Sequence, residues 1–140
     1  MAVKTRLLAS QKPLFEGECD FIVLRGADGD LGVLPGHSPL LTWLKPGEVM
    51  VRRGEKEDYF FLEDGFLEVL PERVSVMAKR GERCDAIPLD RAESMRKTAE
   101  EAVARASSSG DEKLAELSRE LEVANARLEA VERQRRRGRE

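Results

Sequence analysis

The stretch DLGVLPGHSPLLTWLKPG, residues 30–47, decides how the chain is read. Two Pro-Gly pairs, Pro35-Gly36 and Pro46-Gly47, interrupt its short apolar runs. Each pair suits a type II turn, because proline presets the first central dihedral and glycine takes the positive φ of the second at little cost. Two chain reversals are therefore expected here. Gly29 and Gly32 add backbone freedom upstream. Pro39 has no N–H to give a ladder and belongs on a sheet edge or in a loop. The segment reads as turn-rich β structure.

The same grammar extends in both directions up to about Asp85. Val3, Thr5 and Leu7 alternate with Lys4 and Arg6, and Val49 and Val51 with Glu48 and Arg52, which places them on opposite faces of a sheet. Phe21 to Leu24 is a continuous apolar run of the kind buried on both sides. Tyr59 to Leu62 and Phe66 to Leu70 flank Glu63-Asp64-Gly65, and Asp-Gly tolerates the positive φ of a tight reversal, so a hairpin is expected there. Pro71-Glu72-Arg73 marks the next reversal. Beyond it, Val74, Val76 and Ala78 alternate with Ser75, Met77 and Lys79. Many short strands with frequent turn signals imply a sandwich or flattened barrel.

Past Asp85 there is no aromatic residue, and alanine, glutamate and arginine, all serviceable in helices, dominate. Asp90 with Glu93 three residues later resembles a capping box, and Pro88 discourages helix upstream, so a first helix is expected from about Asp90 to Ala106. Ser107-Ser108-Ser109-Gly110 breaks the pattern, and Asp111 is placed to accept from the first amides of a second helix that reaches the arginine tail. Ala92, Met95, Ala99, Ala102 and Ala106 form one narrow seam. Leu114, Leu117, Leu121, Ala124, Leu128 and Val131 form the other. An antiparallel hairpin is the natural packing. Alanine buries little apolar surface, so at about 25 cal/mol per Å² the pair is marginal and able to open toward a better partner. The chain thus divides into a β domain over 1–85 and a helical hairpin with a basic tail over 86–140.

Composition narrows the function classes. The 140 residues carry 41% hydrophobic and 36% charged side chains, with a net charge of -3. That length leaves room for one domain with a modest appendage, and that charge argues against a general nucleic-acid binder. Cys19 and Cys84 are expected to be reduced structural thiols, and with His37 the single histidine a zinc site lacks ligands. Asp28-Gly29-Asp30 lacks the closing glutamate and flanking helices of a calcium loop. No Gly-x-x-x-x-Gly-Lys-Ser/Thr run is present to cradle phosphates. Histidine catalysis would need a nucleophile brought close to His37, whereas Ser38, its neighbour on an extended segment, points away. No catalytic residue, metal or cofactor is expected. The N-terminus shows neither a signal-peptide core nor an amphipathic presequence, and no run approaches the ~20 apolar residues of a membrane span. The expectation is a soluble or peripheral protein made where it works.

The residues 31–41 (LGVLPGHSPLL), 44–47 (LKPG), Asp64-Gly65-Phe66 through Glu68-Val69, Val74 to Ala78 and Arg91-Ala92, in this order, resemble the epsilon subunit family of F-type ATP synthases, called delta in mitochondria. The resemblance implies a mainly β fold with α: an N-terminal β-sandwich of about ten strands, then a C-terminal antiparallel two-helix hairpin. It implies a non-catalytic central-stalk subunit that couples gamma to the c-ring in proton-driven ATP synthesis, peripheral on the cytoplasmic face of the bacterial plasma (inner) membrane. Partners would be gamma, the c-ring and the catalytic beta subunit. Ring-facing positions correspond to Asp28, Gly29, Asp30, Gly36, His37 and Ser38. The hairpin would restrain ATP hydrolysis through Arg127, Arg133, Arg135 and Arg136 on a catalytic subunit. Members that bind ATP in the folded hairpin carry Ile/Leu-Asp-x-x-Arg-Ala. Here Ile87, Arg91 and Ala92 match, but Pro88 stands where the aspartate belongs and Asp90 follows two residues later, so regulatory ATP binding is expected to be weak or absent. The alternative is a free-standing β-sandwich adaptor whose hairpin recruits one protein partner.

Overall fold

The computed structural model describes residues 2–10, 12–26 and 29–138. Contacts divide the chain into two compact units, 1–84 and 85–140. Among the described residues the first contains eight strands: β1 Val3–Ala9, β2 Lys12–Cys19, β3 Phe21–Gly26, β4 Gly29–Val33, β5 Leu40–Leu44, β6 Gly47–Arg53, β7 Lys56–Leu70 and β8 Arg73–Arg83. The hydrogen-bonded order is β2-β1-β8-β7-β5-β3-β4, with β6 pairing both β3 and β7.

The long strands β7 and β8, each running through both layers, explain why eight strands stand where about ten were expected. The first half of β7 pairs β6, from Arg53↔Lys56 to Gly47↔Leu62, and its second half pairs β5, from Leu44↔Gly65 to Leu40↔Val69. On its other side β8 accompanies it from Leu70↔Arg73 to Phe60↔Arg83. The strands expected at 59–62 and 66–70 are therefore one, and no hairpin forms at Glu63-Asp64-Gly65. Asp64 does adopt a positive φ of 50°, as its sequence suggested, but neighbours on both sides continue the ladder past it. The residue marks the place where β7 leaves β6 for β5, a corner between two layers rather than a turn.

The Pro46-Gly47 expectation is corrected for the same reason. β5 and β6 run in one direction along the same edge of β7, so the chain does not reverse between them. Gly47 is not among the positive-φ glycines. A Cβ there would stand 2.7 Å from Arg25 Cγ, so it is close approach that this position requires. Pro35-Gly36, in contrast, is a turn: Gly36 has φ 79°, and the His37 amide donates to the Leu34 carbonyl at 3.2 Å. That geometry is type II. The Pro71-Glu72 reversal also forms, joining Leu70 to its partner Arg73.

One layer holds β2, β1, the first half of β8, the second half of β7, and β5. The other holds β4, β3, β6, the first half of β7 and the end of β8. Between them lie Val3, Leu7, Phe15, Ile22, Leu24, Val33, Val49, Val51, Phe60, Leu62, Leu67, Val69, Val74 and Val76. The strict alternation in β1 and β8 is what turns these side chains inward together. Cys19 and Cys84 are both buried thiols. Burial pushes the Cys19 thiol up in pKa despite its contact with Thr5 Oγ1 at 2.9 Å, so it stays protonated and unreactive.

The second unit holds α1 Leu89–Ser109 and α2 Leu114–Arg137. α1 begins one residue before Asp90, with Pro88 at the N-cap and no side-chain cap. The expected capping box is absent: the Asp90 carboxylate accepts from the adjacent Arg91 amide at 2.9 Å and otherwise only places charge in the first turn. The helix also runs three residues beyond Ala106, because Ser108 and Ser109 return their hydroxyls to the carbonyls of Ala104, Arg105 and Ala106 instead of unwinding the backbone. Gly110, at φ 69°, ends it, and the amides of Gly110 and Asp111 reach the Ala106 carbonyl. Asp111 accepts from the Lys113 amide at 2.8 Å, one residue ahead of α2, so it holds the turn before the helix and not the helix's first amides, where it was expected. The helices pack on each other. Met95 and Arg127, which meet, lie about equally far from the connection, as antiparallel helices require.

Candidate docking surfaces

The first candidate surface is a row of side chains on the outward face of the layer formed by β5, β7, β8 and β1. Trp43 pairs with Phe66, Phe66 with Met77, and Met77 with Leu8, so four adjacent strands present apolar groups in register. Trp43 is 70% and Met77 56% exposed, and Leu41, two residues before Trp43 on the same face, is 62% exposed. The Trp43 and Phe66 rings meet edge to face with centroids 4.9 Å apart. Next to this row the character changes: Glu68, Ser75 and Arg6 follow Leu41 across the same strands, and Glu16 continues the line on β2. An apolar band rimmed by charges, on backbone paired across β5, β7, β8 and β1, is what a protein interface needs. Sequence reading missed it. Its signal was present in Met77 among the outward residues of β8, while β5, apolar on both faces, hid Trp43.

The second candidate is the set of positions that the sequence resemblance led us to expect at a ring contact. Asp28 lies outside the described residues. Gly29 and Asp30 open β4 at the β3–β4 hairpin, where Asp30 is exposed and Arg25 Nε stands 3.0 Å from its carboxylate. The Lys45 amide donates to the Arg25 carbonyl, so the β5–β6 joint belongs to this end of the sandwich. Gly36, His37 and Ser38 follow the opposite end of β4. There the Gly36 amide donates to the Pro71 carbonyl at 3.3 Å, tying the turn to the β7–β8 reversal. His37 donates from Nδ1 to the Ser38 carbonyl at 2.7 Å. Ser38 meets the imidazole through its backbone, not its hydroxyl. The structure thus separates the five described positions into two groups at opposite ends of one strand.

The hairpin positions also divide. Arg135 and Arg136 are exposed, and Arg133 is half-buried with Nη2 3.8 Å from Glu129 one turn earlier. Arg127 is buried, at 8% exposure, with Nη1 3.9 Å from Met95 Sδ. The expected seam of α2 is buried only in part: Ala124 and Val131 are buried, Leu114, Leu117, Leu121 and Leu128 are half-buried, and Val123, Arg127 and Ala130 are buried beside them. On α1, Ala92 and Ala106 are buried and Met95 is exposed. In the nucleotide-motif region Ile87 and Ala92 are buried, whereas Asp90 and Arg91 are exposed. Among the described residues no group of three or more metal-ligating side chains converges, and no helix is long and apolar enough to cross a membrane.

The chain thus combines a sandwich that carries an outward apolar band with a helical hairpin that ends in arginines. Residues 2–84 match the family model described as ATP synthase, Delta/Epsilon chain, beta-sandwich domain, and the chain belongs to that family. Over 94% of its length it is 35% identical to the ATP synthase epsilon chain of Hydrogenovibrio crunogenus, covering 90% of that protein. It is 38% identical to ATP synthase epsilon chain 2 of Ralstonia nicotianae, covering 95% of each chain. Its fold is also similar to a chain in the Euglena gracilis mitochondrial ATP synthase OSCP/F1/c-ring structure. That match has a TM-score of 0.77 at 23% identity and covers 89% of this chain and 78% of that one.

Proposed function

We propose that the chain is a non-catalytic rotor subunit of the ATP synthase central stalk, held peripherally at the cytoplasmic face of the bacterial inner membrane, where it couples gamma to the c-ring. The observation that carries this reading is the outward band Trp43–Phe66–Met77–Leu8, with Trp43 and Met77 exposed and Phe66 and Leu8 half-buried, in register across β5, β7, β8 and β1. A torque-bearing joint needs a stiff element with an interface that water does not loosen, and ladder-held aromatic and thioether side chains supply both. Gamma is the partner assigned to this face. The exposed β3–β4 tip with Gly29 and Asp30 is assigned to polar loops of the c-ring, and the His37 turn, at the other end of β4, is better placed to border the gamma contact than to share the ring contact.

The helical hairpin is assigned the restraint of ATP hydrolysis, with Arg133, Arg135 and Arg136 presented to carboxylates of the catalytic beta subunit. Deleting the residues after Ile87 is expected to leave assembly intact and to raise ATP hydrolysis by the complex severalfold, the gain expected when one charged contact worth ~1 kcal/mol is lost. Unchanged hydrolysis in a normally assembled complex would remove the hairpin's inhibitory role. No regulatory nucleotide is assigned. With Pro88 at the helix N-cap and the Asp90 carboxylate engaged by its neighbour's amide, titration calorimetry of the full chain with ATP should detect no binding tighter than about millimolar, an affinity of only ~4 kcal/mol. A micromolar isotherm would overturn that assignment.

A further inference from the structure

Arg25 of β3 is held at both ends and along its stem where the β3–β4 hairpin meets the β5–β6 joint. Its carbonyl accepts from the Lys45 amide at 2.9 Å. Its stem lies over Gly47, where an added Cβ would stand 2.7 Å from the Arg25 Cγ, 3.2 Å from its Cβ and 3.8 Å from its Cδ. Its head reaches Asp30, its partner across the hairpin, with Nε 3.0 Å from Oδ1. We propose that Arg25 is a positioning residue for the β3–β4 tip: seated on the bare backbone of Gly47, it fixes the Asp30 carboxylate in the orientation in which that group accepts a hydrogen bond from a polar loop of the c-ring. The last part of this proposal rests on the ring contact assigned to the tip above.

As a source of stability the pair counts for little, because Asp30 is 68% exposed along its side chain and water screens such contacts. Its use lies in when the ordering cost falls. An arginine side chain has many rotamers to lose, but folding has already confined this one: only 41% of it is exposed, and it fills the slot that a β-carbon at 47 would close. Nε meets one carboxylate oxygen, and on so exposed a side chain the rest of the group is open to a donor from outside. An acceptor oriented before docking loses less freedom when the partner arrives. An unrestrained aspartate has three staggered χ1 wells, so holding one of them raises affinity by up to about threefold. Strand β3 lies between β4 and β6, pairing both. Close approach at Gly47 on one side of β3 thereby becomes orientation of a charge on the other.

The test has two readouts. In the full chain, NMR three-bond couplings about the Asp30 χ1 should show one dominant rotamer in the parent and averaged rotamers in Arg25→Met and in Gly47→Ala, with urea midpoints showing that each protein is folded. A parent already averaged, or a single rotamer that survives in Arg25→Met, overturns positioning by Arg25. A single rotamer that survives in Gly47→Ala overturns the seat. The second readout is the affinity of the full chain, in complex with gamma, for c-ring in detergent. Asp30→Ala should weaken it about tenfold and Arg25→Met about threefold, with no further loss when Arg25→Met is added to Asp30→Ala. A loss on Arg25→Met that persists beside Asp30→Ala means that Arg25 meets the ring itself, and overturns positioning. Affinity lowered by Asp30→Ala but untouched by Arg25→Met overturns the part Arg25 plays in docking. Affinity unchanged by Asp30→Ala, with couplings averaged in Arg25→Met, overturns the ring contact assigned to the tip while leaving orientation of Asp30 by Arg25 supported.

Discussion

Replacing Trp43 with Asp is expected to weaken binding of the full chain to purified gamma by about 100-fold, roughly 3 kcal/mol, while leaving the sandwich folded. The reasoning begins with exposure: at 70% accessible, the indole contributes little to the core, so its removal should shift unfolding by less than about 0.5 kcal/mol. At an interface the same ring is the largest apolar anchor of the row. Its edge-to-face contact with Phe66 holds it in place before docking, which limits the entropy lost on association. Aspartate removes that anchor and puts a charge into a band that must be desolvated. Surface plasmon resonance against gamma, paired with urea unfolding of each variant, separates binding from folding. An affinity within twofold of the parent would move the gamma contact to another face.

The second large effect concerns Asp58, only 3% exposed near the start of β7. Arg53 Nη2 and Arg83 Nη2 donate to its two oxygens at 3.0 and 2.9 Å. Burial disfavours the carboxylate, but the hydrogen bonds from Arg83 and Arg53, reinforced by the charges of Arg83 and Lys56, outweigh it and hold the acid below its ordinary range. The same arginines lie over core rings, Arg53 5.0 Å from the Phe15 centroid and Arg83 5.3 Å from that of Phe60. Asp58 therefore fixes two cations that cap the aromatic part of the core. Both arginine side chains are about two-fifths exposed, so solvent screens them and the full cost of breaking a buried pair does not apply. Asp58→Ala is expected to lower unfolding stability at neutral pH by about 2 kcal/mol.

The pH dependence has a definite sign. A carboxyl whose folded pKa lies below its unfolded value contributes its full stability above the unfolded value, and loses it as pH falls through the folded one. The parent should thus lose this contribution below about pH 4, where the unfolded carboxyl begins to protonate. The variant should show a shallower decline over the same range. Urea midpoints measured from pH 7 to pH 2 that fall in parallel for the two proteins would show that Asp58 does not carry the acid sensitivity.

Particular residues show how far sequence reading reached. Pro35-Gly36 was legible because a type II turn is settled within four residues: proline fixes one dihedral, glycine takes the next, and Gly36 at φ 79° follows. Pro46-Gly47 carries the same letters and forms no such turn, because its outcome depends on Arg25 from another strand and on β7 accepting both β5 and β6 along one edge. Asp64-Gly65 likewise announced a positive φ. Whether that angle closes a hairpin or turns a corner is decided by the strands lying on either side of it.

The hairpin divides along the same line. Helix-forming composition and Gly110 as terminator are local properties, and they were readable. The capping role expected of Asp90 was not realised, since Pro88 with extended backbone already begins the helix. Periodicity put Leu114, Leu117, Leu121, Ala124, Leu128 and Val131 in the seam of α2; Ala124 and Val131 are buried, but the leucines are only half-buried, and Val123, Arg127 and Ala130 are buried as well. Helical spacing identifies candidate faces, but rotation about the helix axis is chosen by packing, and a rotation of one residue position exchanges a leucine for an arginine.

By itself, the sequence determined the class of fold, the change from strands to helices, the Pro35-Gly36 turn, the Gly110 helix stop, and the resemblance that proved to be family membership, because each rests on interactions within a few residues or on residue order. The tertiary structure alone decided that β7 is one strand serving two layers, that Trp43, Phe66, Met77 and Leu8 line up across four strands, and that Arg127 is hidden while Arg135 and Arg136 are not. Those facts depend on register between segments distant in the chain and on which side of each element is covered, and both are set by long-range packing that no local pattern encodes.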